Sequence, residues 1–183
     1  MNNLIEVNSN NIDAIFDLRY ATKNNVCGKI LYSKPLCFLH PEAFDKLQIA
    51  INYAKNLGYK IKIFDGYRPL QVQKFMYDFF KKNSDYQSFF SNPETGSIPH
   101  CRGVAIDLTL CDFYGNEIDM GSDFDELSDL AYHNSSKISK IQNINRNILL
   151  GIMSFAGFDF YKNEWWHYQL FNARAFEIQD LTW

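Results

Sequence analysis

The run HCRGVAIDLTL, His100 to Leu110, sets an aspartate in the middle of an apolar strand. At the two-residue period of a strand, Val104, Ile106, Leu108 and Leu110 fall on one face, and Ala105, Asp107 and Thr109 on the other. Taking an ionised carboxylate out of water costs on the order of several kcal/mol unless it is paired or bound to a metal. The chain must therefore fold so that something positive reaches Asp107. The same problem recurs in EWWHYQL, Glu164 to Leu170, where Glu164 and His167 sit among Trp165, Trp166 and Tyr168. A fold in which the two segments meet around a metal ion answers both.

Taken singly, each group has a plainer use. Asp107 could pair with Arg102 or Arg146, and His100 and His167 could be satisfied histidines with no ligand role. Taken together, His100, Asp107 and His167 make a three-ligand set of the kind that binds zinc and leaves its fourth position open. A hydrolytic zinc site also needs a nearby carboxylate that does not ligate and can accept a proton. Glu164, three residues before His167, meets that need. If Trp165 to Leu170 is a strand, Glu164 has the wrong parity to share a face with His167, so it belongs on a turn or bulge just before it. The aromatic neighbours would then fix the ligand and lower the local dielectric, a role compatible with plain core packing. Arg68, in DGYRP, is the third piece. Pro69 biases it toward an extended backbone just past a strand end, from which a guanidinium can enter a cleft and stabilise an oxyanion. The alternatives are stacking on Tyr67 or a surface ion pair.

Around these segments the chain reads as one domain, residues 1–183, with no repeat and no Pro-, Gly- or Ser-rich linker. From Pro41 a helix carries Phe44, Leu47, Ile51 and Ala54 on one face and ends at Gly58. YKIKIFD alternates as a half-buried strand and runs into the DGYRP turn; a second helix covers Leu70 to Lys82. The polar, turn-rich KKNSDYQSFFSNPETGSIP makes a long loop to His100, and long loops inside compact domains tend to be functional. A third helix, Ser139 to Ala156, carries the stripe Ile141, Ile144, Ile148, Ile152, Phe155 and stops at Gly157; FDFY and WWHYQL form a closing hairpin. Without a regular βαβ rhythm, the expected class is α+β with a central, mostly antiparallel sheet flanked by helices.

Composition narrows the function. Hydrophobic residues at 46% and aromatics at 16% specify a packed globule. A net charge of -3 without a long basic run gives no electrostatic footprint for nucleic acid or a membrane surface. The N-terminus lacks a signal-like pattern, and no window holds ~18 consecutive apolar residues. Cys27, Cys37, Cys101 and Cys111 are too few and too spread for a disulfide scaffold, and no CxxC pair offers a thiolate zinc site. A reduced, cytoplasmic protein is expected.

In order along the chain, YATKNNVCGK, DGYRP, HCRGVAIDLTL, MGSDFD, NR followed by GF, and EWWHY resemble the VanX-like D-alanyl-D-alanine dipeptidases within the zinc DD-peptidase group. The resemblance implies a hedgehog/DD-peptidase-like fold, one Zn2+ held by His100, Asp107 and His167, and Glu164 as the catalytic base. It makes Arg68 the residue that polarises the scissile carbonyl, and Tyr20 and Asp125 the pair that holds the substrate's ammonium. A small closed pocket would restrict such an enzyme to a small dipeptide. The family usually has a serine two residues before the first histidine, associated with the substrate's carboxylate. Here SIPH puts Ile98 there, leaving Ser97 one step earlier, and Pro99 removes a backbone donor. The rival functions are a zinc carboxypeptidase or endopeptidase acting on larger peptidoglycan peptides of the cell wall, and a binding domain that keeps zinc without catalysis. His40, His133 and Cys101 receive no role, and the oligomeric state is not specified.

Overall fold

The two alternating runs pair side by side at the centre of the molecule. The computed structural model describes residues 3–81, 86 and 89–183. In chain order its elements are β1 (Ile5–Val7), β2 (Ile15–Phe16), β3 (Cys37–Leu39), α1 (Pro41–Asn56), β4 (Lys60–Asp65), α2 (Leu70–Phe80), β5 (Ala105–Cys111), α3 (Lys140–Phe155), β6 (Asp159–Phe160) and β7 (His167–Gln169). β1 and β3 form a small ribbon; the main sheet has the order β2-β4-β5-β7-β6. Only the β2–β4 pair is parallel, so the sheet is mostly antiparallel, as the absence of a βαβ rhythm predicts.

β5 is the middle strand and is buried along its whole length. Its Ile106, Leu108 and Leu110 join Ile61 and Ile63 of β4 in a core closed by Phe44, Leu47, Ile51 and Ala54 of α1. α1 begins as expected: Pro41 opens it, the His40 ring accepts the Glu42 N–H at 3.3 Å as its cap, and Gly58 takes φ +84° just past its end. For α2, Leu70–Phe80 agrees with the expected helix, and Lys82 lies outside the described residues.

The third helix keeps its expected bounds, with a Ser139–Gln142 capping box, but not its expected face. Ile141, Ile144 and Phe155 are 59%, 43% and 67% exposed, while Leu149, Ile152 and Met153 are buried. The cause is Arg146. Its Nε donates to the Met120 carbonyl (2.6 Å), Nη1 to Tyr132 (2.7 Å) and Nη2 to Leu130 (2.8 Å). Those loop carbonyls hold the guanidinium indoors and turn the helix so that 146, 149 and 153 face inward.

Near its C-terminal end β4 carries a bulge. Lys62 opposes Thr109 and Ile63 opposes Leu108, but the register then shifts and Asp65, rather than Phe64, opposes Asp107. One extra residue flips the parity of the strand, so the two aspartates stand on the same side. On its other edge, β5 pairs Asp107 directly with His167 of β7.

No helix among the described residues is long and apolar enough to cross a membrane. The four cysteines are buried free thiols, and burial pushes Cys27 and Cys111 up to about 11 and Cys101 to about 12, so they stay protonated at neutral pH. His133 is packed against Phe160 and Tyr168, and burial pushes it down to about 4.

The C-terminal tail straps the site-bearing turns. Gln179 N–H donates to the Cys101 carbonyl (2.9 Å), Tyr67 Oη donates to the Gln179 carbonyl (2.9 Å), and Leu181 N–H donates to Tyr67 Oη (3.1 Å). Trp183 packs on Tyr32, Phe38 and Tyr67. Ending the chain at Phe176 removes these bonds and that ring, worth about 2–3 kcal/mol together. Thermal unfolding followed by circular dichroism should show the melting temperature falling by about 5–10 °C; an unchanged melting temperature would mean that the strap contributes nothing.

Candidate active site

Three separate pieces of backbone deliver His100, Asp107 and His167 to one point. Asp107 projects from the middle of β5, His167 from the start of β7 directly opposite, and His100 from a 3-10 turn, Pro99–Arg102, that leads into β5. His167 Nδ1 lies 3.0 Å from Asp107 Oδ1, His100 Nε2 3.1 Å from His167 Nδ1, and His100 Nε2 3.4 Å from Asp107 Oδ2. All three are buried, with one donor atom of each within 4.8 Å of the others.

The outer partners decide which nitrogens are bare. His100 Nδ1 is 2.7 Å from the Gly66 carbonyl, which can only accept, so the proton is on Nδ1 and Nε2 presents a lone pair. His167 Nε2 is 3.0 Å from Gln169 Oε1, which by the same reasoning takes the Nε2 proton and leaves Nδ1 bare. Two imidazole lone pairs and a carboxylate thus converge with no proton assigned between them. Such an arrangement is repulsive by itself and becomes attractive around a cation; the donor set fits a divalent metal of the zinc type. With these tautomers Asp107 faces two imidazole lone pairs rather than two N–H donors. Neither Arg102 nor Arg146 is its partner: Arg102 bonds the Ser97 and Phe176 carbonyls, and Arg146 bonds the loop carbonyls described above.

Arg68 is the cation nearest Asp107, with Nη2 3.7 Å from Oδ2. It neither stacks on Tyr67 nor lies on the surface. Its Nε and Nη2 donate to Asp65 Oδ2 (3.1 and 2.9 Å), its Nη1 to Gln73 Oε1 (3.0 Å), and its guanidinium lies over the Tyr20 ring at 4.9 Å. Asp65 also accepts from Tyr32 Oη at 2.8 Å. A guanidinium carries five N–H groups, so two stay available for a ligand. Asp65, Gln73 and Tyr32 are the site residues that sequence reasoning misses. Asp65 had a signal, the first position of DGYRP; Gln73 had only its polarity on the buried face of α2.

Although the strand begins at His167 rather than at Trp165, Glu164 lies in the turn before β7, as expected. Its N–H donates to the Tyr161 carbonyl (3.1 Å), its carbonyl accepts from His167 N–H (3.2 Å), and its Oε2 stands 4.0 Å from His167 Nδ1. Burial pushes its carboxyl up to about 8, opposed by His167 and reinforced by the Asp107 and Asp125 carboxylates. Tyr20 Oη donates to Asp125 Oδ1 (2.9 Å), and Val26 N–H donates to Asp125 Oδ2 (3.1 Å). Burial pushes Asp125 up to about 7.

One cleft of about 200 Å³ is lined by Tyr20, Arg68, His100, Asp107, Asp125, Glu164 and His167, with Asp65 and Tyr32 behind Arg68. Ser97 lines it too, as does the buried Ile98 beside it, and Phe90 and Trp166 supply apolar wall. The eight residues singled out from the sequence are therefore brought together. Chemically, the arrangement offers a cation seat, a carboxyl able to exchange a proton near neutrality, a fixed guanidinium and a carboxylate–phenol pair.

A family model described as D-ala-D-ala dipeptidase, of the M15 peptidases, matches residues 1–180. The chain is 35% identical over 166 residues to the D-alanyl-D-alanine dipeptidase of Escherichia coli K12, covering 91% of this chain and 83% of that one. It is 32% identical over 182 residues to the D-alanyl-D-alanine dipeptidase of Enterococcus faecalis, covering 85% of each. Among solved structures, the LdcB LD-carboxypeptidase superposes with a TM-score of 0.55 at 18% identity, over 94% of this chain and 70% of that one, and shows the shared DD-peptidase-like fold. With a match over nearly its whole length and relatives above 30% identity, the chain belongs to the D-Ala-D-Ala dipeptidase family of M15 peptidases.

Proposed function

We propose that residues 1–183 form a zinc dipeptidase that hydrolyses D-alanyl-D-alanine or a closely related dipeptide. The observation that carries this reading is the convergence of three bare donors beside Glu164, in a cleft that also holds the Tyr20–Asp125 pair. The names of the relatives support the substrate. One zinc ion held by His100, Asp107 and His167 would supply Lewis acidity, making a water nucleophilic near neutral pH and polarising the scissile carbonyl.

The chain's own residues do the rest. Glu164, as carboxylate, accepts a proton from the attacking water while the water oxygen bonds to the carbonyl carbon. As the carbon–nitrogen bond breaks, Glu164 returns that proton to the leaving amine. A buried carboxyl pushed up to about 8 is well matched to giving and taking a proton at cellular pH. The two spare N–H groups of Arg68 meet the negative charge that develops on the carbonyl oxygen. Asp65 and Gln73 hold the guanidinium in place, so little reorganisation is needed during the reaction. Asp125, oriented by Tyr20 and the Val26 N–H, takes the substrate's ammonium. A cleft of about 200 Å³ suits two small residues. An enzyme for longer wall peptides has no use for a buried carboxylate placed to meet a free amine, and a zinc-bearing binding domain has no use for Glu164 or for a cross-braced Arg68.

Glu164→Gln should retain zinc and lose ~3 orders of magnitude in kcat, whereas His167→Ala should lose the metal itself. Metal analysis of purified protein together with steady-state kinetics separates the two, and a Glu164→Gln variant near full activity would remove Glu164 from the mechanism. Gln169→Leu releases the His167 tautomer and should weaken zinc binding ~10–100-fold in a chelator competition titration; unchanged affinity would deny it that part. Asp125 binds an ammonium only when ionised, so KM for D-Ala-D-Ala should rise as pH falls through about 7, with Asp125→Asn high and flat over that range. N-acetylation of the substrate should abolish turnover, and rapid turnover of the acylated dipeptide would favour the carboxypeptidase reading.

A further inference from the structure

A dipeptide brings a carboxylate as well as an ammonium into the cleft, and Ile98 offers that carboxylate only hydrocarbon. The loop before His100 supplies another group. Ser91 lines the cleft, and its Oγ accepts the Ile98 backbone N–H at 3.3 Å. Accepting that bond does not use the hydroxyl's single proton, which can donate. The backbone makes room for it: a Cβ on Gly96 would stand 2.2 Å from Ser91 Oγ, closer than any real contact allows.

The position of Ser91 relative to Arg68 is also fixed. Gln73, 3% exposed, donates from Nε2 to the Ser91 carbonyl (2.8 Å) and accepts from Arg68 Nη1 (3.0 Å), so one buried amide braces both. In a dipeptide the terminal carboxylate is separated from the scissile carbonyl by only a peptide nitrogen and an α-carbon. Donors for the two must therefore be neighbours at a set distance, which is what Gln73 enforces. Ser97, the nearest serine in sequence, is held by its carbonyl to Arg102 Nε (2.8 Å), outside this brace.

We infer that Ser91 is the specificity-determining donor for the substrate's terminal carboxylate, set against Arg68 by Gln73 and admitted by Gly96. The assignment rests on the dipeptidase reading and adds to it the residue that selects a free C-terminus.

The test compares D-alanyl-D-alanine with its C-terminal amide as substrates of the zinc-loaded wild type, Ser91→Ala and Gly96→Ala. The wild type should favour the free acid. Ser91→Ala should raise KM for the acid ~10–100-fold with kcat within a few-fold, and raise KM for the neutral amide only a few-fold, so that the preference collapses. Gly96→Ala should do the same with the hydroxyl present but displaced, and unchanged zinc content in both variants shows that the site is assembled. A wild type that turns over the dipeptide while both variants keep its preference would overturn this assignment alone. So would collapse in Ser97→Ala with Ser91→Ala unaffected. A wild type with no turnover of the dipeptide would overturn the assignment and the reading beneath it together.

Discussion

The architecture turns on a buried carboxylate that its nearest imidazoles cannot neutralise by themselves. Asp107 sits on the central strand with the proton of each facing histidine drawn to the far side of its ring, to the Gly66 carbonyl and to Gln169. In a low dielectric this is an expensive arrangement unless a cation fills it. Two parts of the chain distant in sequence converge to make it, the turn leading into β5 and the turn leading into β7, so the sheet order and both turns serve one electrostatic requirement. Of the aromatic residues around His167, Trp166 forms part of the apolar wall beside it.

The bulge in β4 extends that logic to Arg68. With regular pairing, Phe64 would oppose Asp107 and Asp65 would point into the opposite layer. The extra residue places Asp65 beside the cleft, where it fixes Arg68 through two nitrogens and is itself fixed by Tyr32. Arg68 then touches Asp107 only at 3.7 Å, near enough to favour its anionic form but not bonded in the manner that would remove it as a metal ligand. Asp65 and Gln73 together hold the guanidinium, and Asp107 is left facing the two imidazoles.

Much of this was legible from residue patterns because the patterns carry geometry. Alternation located β5 and put Asp107 on one face, and the expected turn at Glu164 is present, longer than expected because β7 begins only at His167. What was not legible depends on tertiary choice. Two apolar stripes run along α3, and the isoleucine stripe reads more strongly; the loop carbonyls that capture Arg146 select the other. A bulge that admits one residue leaves no local mark in KIKIFD. Ser91 lies seven residues from Ile98, in a loop whose course no periodicity describes, and Gln73 joins it to Arg68 only after α2 has docked.

The strain at Ile98 shows how tightly this loop is determined. A β-branched residue at φ +40° directly before a proline departs from two backbone preferences together, at a cost of about 1–3 kcal/mol. It persists because both its backbone groups are bonded: its N–H to Ser91 Oγ, and its carbonyl to the Cys101 N–H at 3.0 Å. The second of these closes the 3-10 turn that aims His100, and its side chain is buried against the cleft wall. The contacts that hold Ile98 in a disfavoured conformation therefore also orient a candidate metal ligand and the Ser91 hydroxyl, and a relaxed residue at this position would not need to keep the two in register.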